Sequence, residues 1–318
     1  MRVRAQEGGS HVLVIVGLGG DHENAERFHG WAAAIVDVAR DRFGISRERV
    51  VYLGENPARD PGRISGRSTR EAIGAAVTAL AANARPGDRV LVVLIGHGAS
   101  AVPGAPRFNL PGPDLTATDF AKLMDRFAAQ TVTFVNTASA SGGFLAALSG
   151  PGRTIVTATR SDGERNQTRF GEFFAEALVS SDADSDKDGR VSMLEAFTFA
   201  RARVVASYER DGQLLTEHAV LDDNGDGRGT DTPGQPGQDG ALARSWYLSP
   251  GTAGAAVDDA ADPELKTLVA RRKNIEDELA ALKAGKNKMD DADYERELER
   301  VLTELARVSR AIREKQKQ

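Results

Sequence analysis

Val90-Leu91-Val92-Val93-Leu94-Ile95-Gly96-His97-Gly98-Ala99 is the stretch that decides the fold. Its apolar run shows no alternation with polar residues, so it reads as a strand buried on both faces. It ends abruptly in Gly96-His97-Gly98, a polar tip on an apolar strand. A second run, Thr131-Val132-Thr133-Phe134-Val135, delivers Asn136-Thr137-Ala138-Ser139-Ala140-Ser141-Gly142-Gly143. Working outward, His11-Val12-Leu13-Val14-Ile15-Val16 leads into Gly17-Leu18-Gly19-Gly20, Val50-Val51-Tyr52-Leu53 is a short strand, and Arg153–Thr159 is another.

Helical patterns separate these runs. The spacing predicts helices over Asn24–Arg42, with Phe28, Trp31, Ile35, Val36 and Val38 on one face, over Ser68–Ala84, and over Thr116–Phe127. Ser68 reads as an N-cap, because Glu71 follows at capping-box distance. Buried strands alternating with helices predict an α/β class: a three-layer, mostly parallel sheet with helices on both faces. In such sheets reactive groups collect at the carboxyl ends of strands, where both His97 and Ser139 lie.

Composition narrows the function. The 318-residue chain has no cysteine, which excludes disulfides, thiolate metal sites and thiol catalysis. A formal net charge of -5 gives no reason to expect nucleic acid. No run reaches the roughly 20 apolar residues of a membrane span. The short, β-branched run at 11–16 reads as a buried strand, so no signal peptide is visible. The compartment stays open, and an extracytoplasmic one would require a longer precursor.

Residues 1–250 read as the main domain, with acidic loops at 182–233, helices over Phe170–Leu178 and Val191–Tyr208, and a returning strand at Ser245-Trp246-Tyr247-Leu248. An Ala/Gly/Asp linker spans 251–262. Residues 263–318 carry two apolar stripes, one from Leu265 to Leu282 and one from Tyr294 to Ile312, broken at Ala284-Gly285-Lys286-Asn287-Lys288. That pattern predicts a C-terminal α-helical hairpin whose stripe joins its own helices or the main domain, or forms an oligomeric seam.

Asp184-Ser185-Asp186-Lys187-Asp188-Gly189-Arg190-Val191-Ser192-Met193-Leu194-Glu195 fits a twelve-residue EF-hand calcium loop. Asp184, Asp186 and Asp188 supply the first three ligands, the Arg190 carbonyl the next, Ser192 acts directly or through water, and Glu195 closes the shell. Asp222, Asn224, Asp226 and the Arg228 carbonyl repeat the first half as a second Ca2+ loop. Its twelfth position is Pro233, so Asp231 is the expected substitute for the closing glutamate. The flanking sequence lacks the Met-rich groove of a sensor, so calcium is expected to brace the fold rather than switch it.

Gly96-His97-Gly98-Ala99 together with Ala138-Ser139-Ala140-Ser141-Gly142 resembles the caspase/legumain-like (caspase–hemoglobinase fold) cysteine peptidase superfamily, over roughly residues 10 to 180. In legumain-like members the second motif reads approximately Ala-Cys-x-Ser-Gly, which places Ser139 at the nucleophilic cysteine. The resemblance implies that His97 assists the nucleophile and that the N–H groups of Gly98 and Ser139 bind an oxyanion. It implies a peptide or protein as substrate or partner, and it puts Arg160 and Ser161 beside the primary specificity pocket. Legumain-like enzymes carry an asparagine after the first strand, where this chain reads Gly17-Leu18-Gly19-Gly20. A serine needs an oriented base where a thiol is already partly ionised. Asn136 and Asp21 are the nearest groups able to hold the imidazole.

Three functions follow. The first is a calcium-binding peptidase fold that is inactive or repurposed. The second is a serine-type hydrolase using Ser139, or Ser141 as runner-up, with His97. The third is a non-catalytic, calcium-braced interaction module. Gly17–Gly20 lacks the glycine spacing of a dinucleotide loop, and Asp21-His22-Glu23 reads as helix-capping acids with a surface histidine rather than a metal cluster.

Overall fold

In a computed structural model, the described residues are 8–100, 105–235, 238–251 and 290–315, with positions 267, 268, 271, 275, 278, 279 and 282. Two compact units divide between Gly254 and Ala255.

The first unit follows the predicted alternation. In chain order its elements are β1 (Ser10–Val16), α1 (His22–Asp37), β2 (Val50–Gly54), β3 (Gly66–Arg67), α2 (Arg70–Asn83), β4 (Arg89–Ile95), β5 (Gly98–Ala99), β6 (Arg107–Phe108) and β7 (Leu115–Thr116). There follow α3 (Ala117–Met124), β8 (Thr131–Asn136), α4 (Leu145–Leu148), β9 (Arg153–Thr157), α5 (Phe170–Val179), α6 (Met193–Arg210), β10 (Val220–Asp222) and α7 (Ala241–Ser245). The seven-stranded sheet has the order β10-β9-β8-β4-β1-β2-β3. Its neighbours are parallel except for β10 against β9. Strands β5, β6 and β7 form a separate three-stranded sheet.

The uninterrupted apolar run of β4 is explained by its two covered faces. Leu91, Val93 and Ile95 join Phe28, Ile35, Phe170, Phe174 and Phe197 in one core. Val90, Val92 and Leu94 point the other way, to Ile73, Val77, Phe120, Phe134 and Phe144. Strand side chains alternate, so a strand covered on both sides must be apolar throughout.

From the central β1 the chain moves outward to β2, whereas from β4 it moves to β8 on the other side. The carboxyl ends of β1 and β4 therefore flank the crevice where strand order reverses, the usual ligand position in open α/β sheets.

Local readings are corrected in three places. Thr69, not Ser68, caps α2 by accepting the Ala72 N–H; Ser68 is fully buried and donates its hydroxyl to the Val16 carbonyl at 2.6 Å. Ser245–Leu248 is not a strand. Its backbone is engaged elsewhere, with the Trp246 carbonyl accepting from Met193 N–H at 2.9 Å while the Trp246 side chain is buried. The antiparallel edge is instead β10, a run of three residues that leaves little periodicity to detect.

The second unit contains α8 (Asp291–Lys315). Its Val301 and Val308 pack with Ile275, and Leu268, Leu279, Leu282 and Leu305 border them. Glu304 meets Arg271 and Arg300 meets Glu278, so rising numbers on one segment meet falling numbers on the other. The expected linker at 252–262 and the break at Ala284–Lys288 lie outside the described residues. Among the described residues no helix is long and apolar enough to cross a membrane.

Candidate functional site

His97 follows β4, and its Nε2 lies 3.2 Å from the carbonyl oxygen of Gly19, just beyond β1. A carbonyl can only accept, so the bond requires the proton on Nε2 and leaves the Nδ1 lone pair free in the neutral ring. The Phe28 ring meets the imidazole edge-on at 5.2 Å between centroids. Neither side chain expected to hold the imidazole does so. Asn136 accepts the Ala138 N–H through Oδ1 at 3.1 Å, and Asp21 caps α1 by accepting the Asn24 N–H at 2.7 Å. The partner is a main-chain carbonyl, which no residue type announces.

Ser139 follows β8 and is 5 % exposed. Its Oγ accepts the Gly98 N–H at 3.4 Å and donates to the Gly98 carbonyl at 3.3 Å. Only glycine fits at 98, since a Cβ there would stand 2.3 Å from the Ser139 carbonyl oxygen. Ala140 is left-handed, with φ 52°, a conformation costing a non-glycine residue roughly 1–2 kcal/mol. The turn is held in this shape from the loop after β9, where the Glu164 carbonyl accepts the Ala140 N–H at 2.7 Å.

Ser141 is fully buried and fastens the same loop, its Oγ accepting the Thr159 N–H at 3.1 Å. The Arg160 side chain is 63 % exposed, and its guanidinium lies 3.8 Å from Glu164. Ser161 Oγ accepts the Gly163 N–H at 3.3 Å. Four participants had no motif to mark them. Glu164 also bonds His218 Nδ1 at 2.8 Å, and Ser100 donates to Asp162 at 2.7 Å across the strand ends.

The two acidic loops share one hydrogen-bond scheme. In the first, Asp184 Oδ2 accepts the Gly189 N–H, Asp186 the Asp188 N–H and Asp188 the Arg190 N–H, all within 3.1 Å. In the second, Asp222 Oδ2 accepts the Gly227 N–H, Asn224 the Asp226 N–H and Asp226 the Arg228 N–H, all within 3.0 Å. Lys187 and Gly225, in equivalent places, both have positive φ, as do Gly189 and Gly227. Oxygens of Asp184, Asp186 and Asp188 lie within 4.8 Å of one another. Burial, together with the neighbouring Asp188 and Glu195 charges, pushes the Asp186 carboxyl up. Asp188 also takes the Arg190 guanidinium at 2.8 Å.

Glu195 Oε1 accepts the N–H groups of Ser185 and Asp186, and Oε2 accepts that of Ser192, which caps α6. The corresponding carboxylate in the second loop is not Asp231, which pairs with Arg201 at 2.9 Å. It is Asp239, whose Oδ1 accepts the N–H groups of Asp223 and Asn224 at 3.1 and 3.2 Å. Asp239 lies six residues beyond Pro233, so a search at fixed loop spacing passes over it.

With this geometry in place, the family comparison is informative: the profile of the Peptidase C13 family, the legumain/caspase-like cysteine peptidases, matches residues 67–220. Residues 67–220 are Peptidase C13-like. Comparison with curated proteins gives no match. The C13-like segment contains His97, Gly98 and Ser139, whereas Gly19, which holds the imidazole, precedes it.

Proposed function

We propose that this protein is a calcium-braced, C13-like pseudopeptidase, whose strand-end cleft engages peptide or protein segments without cleaving them. Membership of the peptidase fold supports peptides as the class of molecule bound. The observation that carries loss of proteolysis is the Ser139 hydroxyl, exchanged in both directions with the Gly98 backbone. Its proton rests on a carbonyl, while His97 is engaged through Nε2 on the Gly19 side. A serine with no base at its proton is a poor nucleophile.

The test is chemical. A fluorophosphonate probe is expected to leave Ser139 unlabelled with calcium present, whereas labelling lost in Ser139→Ala would establish the serine-hydrolase reading instead. Because the chain has no cysteine, Ser139→Cys introduces a single thiol. With the His97 half of the dyad retained, that thiol is expected to ionise below the usual value of ~8.5, read from the pH dependence of iodoacetamide alkylation. A thiol titrating at the ordinary value would defeat the claim that the site is a retained dyad.

Asp184, Asp186, Asp188, Ser192, Glu195 and the Arg190 carbonyl would hold one Ca2+. Asp222, Asn224, Asp226, the Arg228 carbonyl and Asp239 would hold a second. The ions would bring compensating positive charge to Asp186 and Asp239, whose carboxyls burial and neighbouring acidic charges push up. The C-terminal segment serves self-association, which its stripe supports: Leu302 on α8 is 45 % exposed. Sedimentation of the full chain is expected to show an oligomer that Leu302→Glu dissociates; a monomer in both would remove this role.

A further inference from the structure

We infer that Glu55 is a positioning residue that fixes the tautomer of His97 through the backbone of Gly19. This deepens the retained-dyad reading above and rests on it.

Glu55 directly follows β2, the strand beside β1, and its Oε2 accepts the Gly19 N–H at 3.1 Å. On the other side of the same residue, the Gly19 carbonyl takes the His97 Nε2–H. One glycine is therefore gripped from both sides, by a carboxylate from one strand end and an imidazole from another. The grip is needed because Gly17, Gly19 and Gly20 make this segment conformationally permissive, and Gly20 has φ 79°. Gly19 also cannot be stiffened by a side chain, since a Cβ would lie 2.8 Å from Ala25 in the first turn of α1. Main-chain bonds from Gly17 N–H to the Ile95 carbonyl and from Leu18 N–H to the Asn109 carbonyl anchor the segment up to Leu18, and Glu55 is the side-chain acceptor that extends this anchoring to Gly19.

The consequence is electronic as well as steric. While the Gly19 carbonyl faces Nε2, the neutral imidazole keeps its proton there and leaves Nδ1 as its acceptor nitrogen. If the Gly19 segment relaxes, the carbonyl turns away and either ring nitrogen can hold the proton. Glu55 is placed to prevent that relaxation without touching the imidazole.

The test uses the full chain carrying Ser139→Cys, with two readouts. Nitrogen-15 shifts of the His97 ring report the tautomer, and the pH profile of alkylation at the single thiol reports its coupling to His97. Glu55→Gln keeps an acceptor at the same reach, so the Nε2–H tautomer and the profile should persist. Glu55→Asp keeps the charge but withdraws it by one methylene. It should mix the tautomers and slow alkylation at pH 7 by about tenfold, the worth of one charge-assisted hydrogen bond. Glu55→Ala should do the same, and Glu55→Asp covers the case in which the Ala variant does not fold. An unchanged tautomer in the folded Asp variant overturns the inference, as does loss of the tautomer in the Gln variant. Failure of the underlying reading looks different: the parent thiol would then titrate normally before Glu55 is altered.

Discussion

Calcium added to chelator-treated protein should raise the unfolding temperature by about 5–10 °C for each loop filled, and Glu195→Gln should abolish the first loop's share of that rise. Binding at ~100 times the dissociation constant contributes about 2.7 kcal/mol. In a domain of this size each kcal/mol moves the midpoint by roughly 2–4 °C. Glutamine separates two roles that Glu195 combines. As N3 of α6 it closes the capping box with Ser192, a task glutamine also performs. As the twelfth loop residue it supplies a bidentate carboxylate, which glutamine cannot. In chelator the variant should therefore melt within a few degrees of the parent, and only the first loop's calcium response should vanish. Calorimetry gives the second loop's share: two ions per chain in the parent and one in Asp239→Asn. No melting shift in the parent would sink the bracing role.

The largest loss of stability is expected from Asp88→Ala, about 3–5 kcal/mol in urea unfolding. Asp88 stands at the amino end of β4, 4 % exposed, and accepts the Gly9 N–H at 2.8 Å, the Arg85 N–H at 2.9 Å and His11 Nε2 at 3.1 Å. Alanine would leave the Gly9 and His11 donors buried and unpaired, at about 1–3 kcal/mol each before relaxation, hence about 3–5 in total with the loss of the Arg85 bond. The pair also predicts acid sensitivity. Burial holds His11 below its usual range despite the Asp88 bond, so the folded state resists protonation there. Burial tends to raise the Asp88 carboxyl, but the Arg85, His11 and Gly9 bonds outweigh it and the net shift is downward. A group with a depressed folded pKa stabilises above its unfolded value, and that contribution fades as pH falls through the folded one. Stability should thus decline below about pH 6.5 as His11 is forced to charge, and again below about pH 4 as Asp88 protonates. Asp88→Ala should flatten the lower step, and a midpoint independent of pH from 7 to 3 would contradict this account.

The buried sheet was legible because a strand covered on both faces has to be apolar at every position, as Leu91–Ile95 are. The turn at Asp184–Glu195 was legible because its acidic side chains recur at fixed intervals. Elements whose character depends on distant partners were not. Ser245–Leu248 has strand-like composition, but its hydrogen bonds go to α6, and the edge falls to the shorter Val220–Asp222.

The sequence by itself determined the α/β layering, the placement of His97 and Ser139 at neighbouring strand ends, and the acidic loop at 184–195. These are consequences of local periodicity and residue type. Only the tertiary structure decided what holds the imidazole, that Asp239 rather than Asp231 accepts the N–H groups of Asp223 and Asn224, and that Ser139 bonds the Gly98 backbone. Gly19 lies 78 residues from His97, Asp239 15 from Asn224 and Gly98 41 from Ser139. Contacts at such separations are set by strand order and by main-chain atoms common to every residue, so no single residue type encodes them.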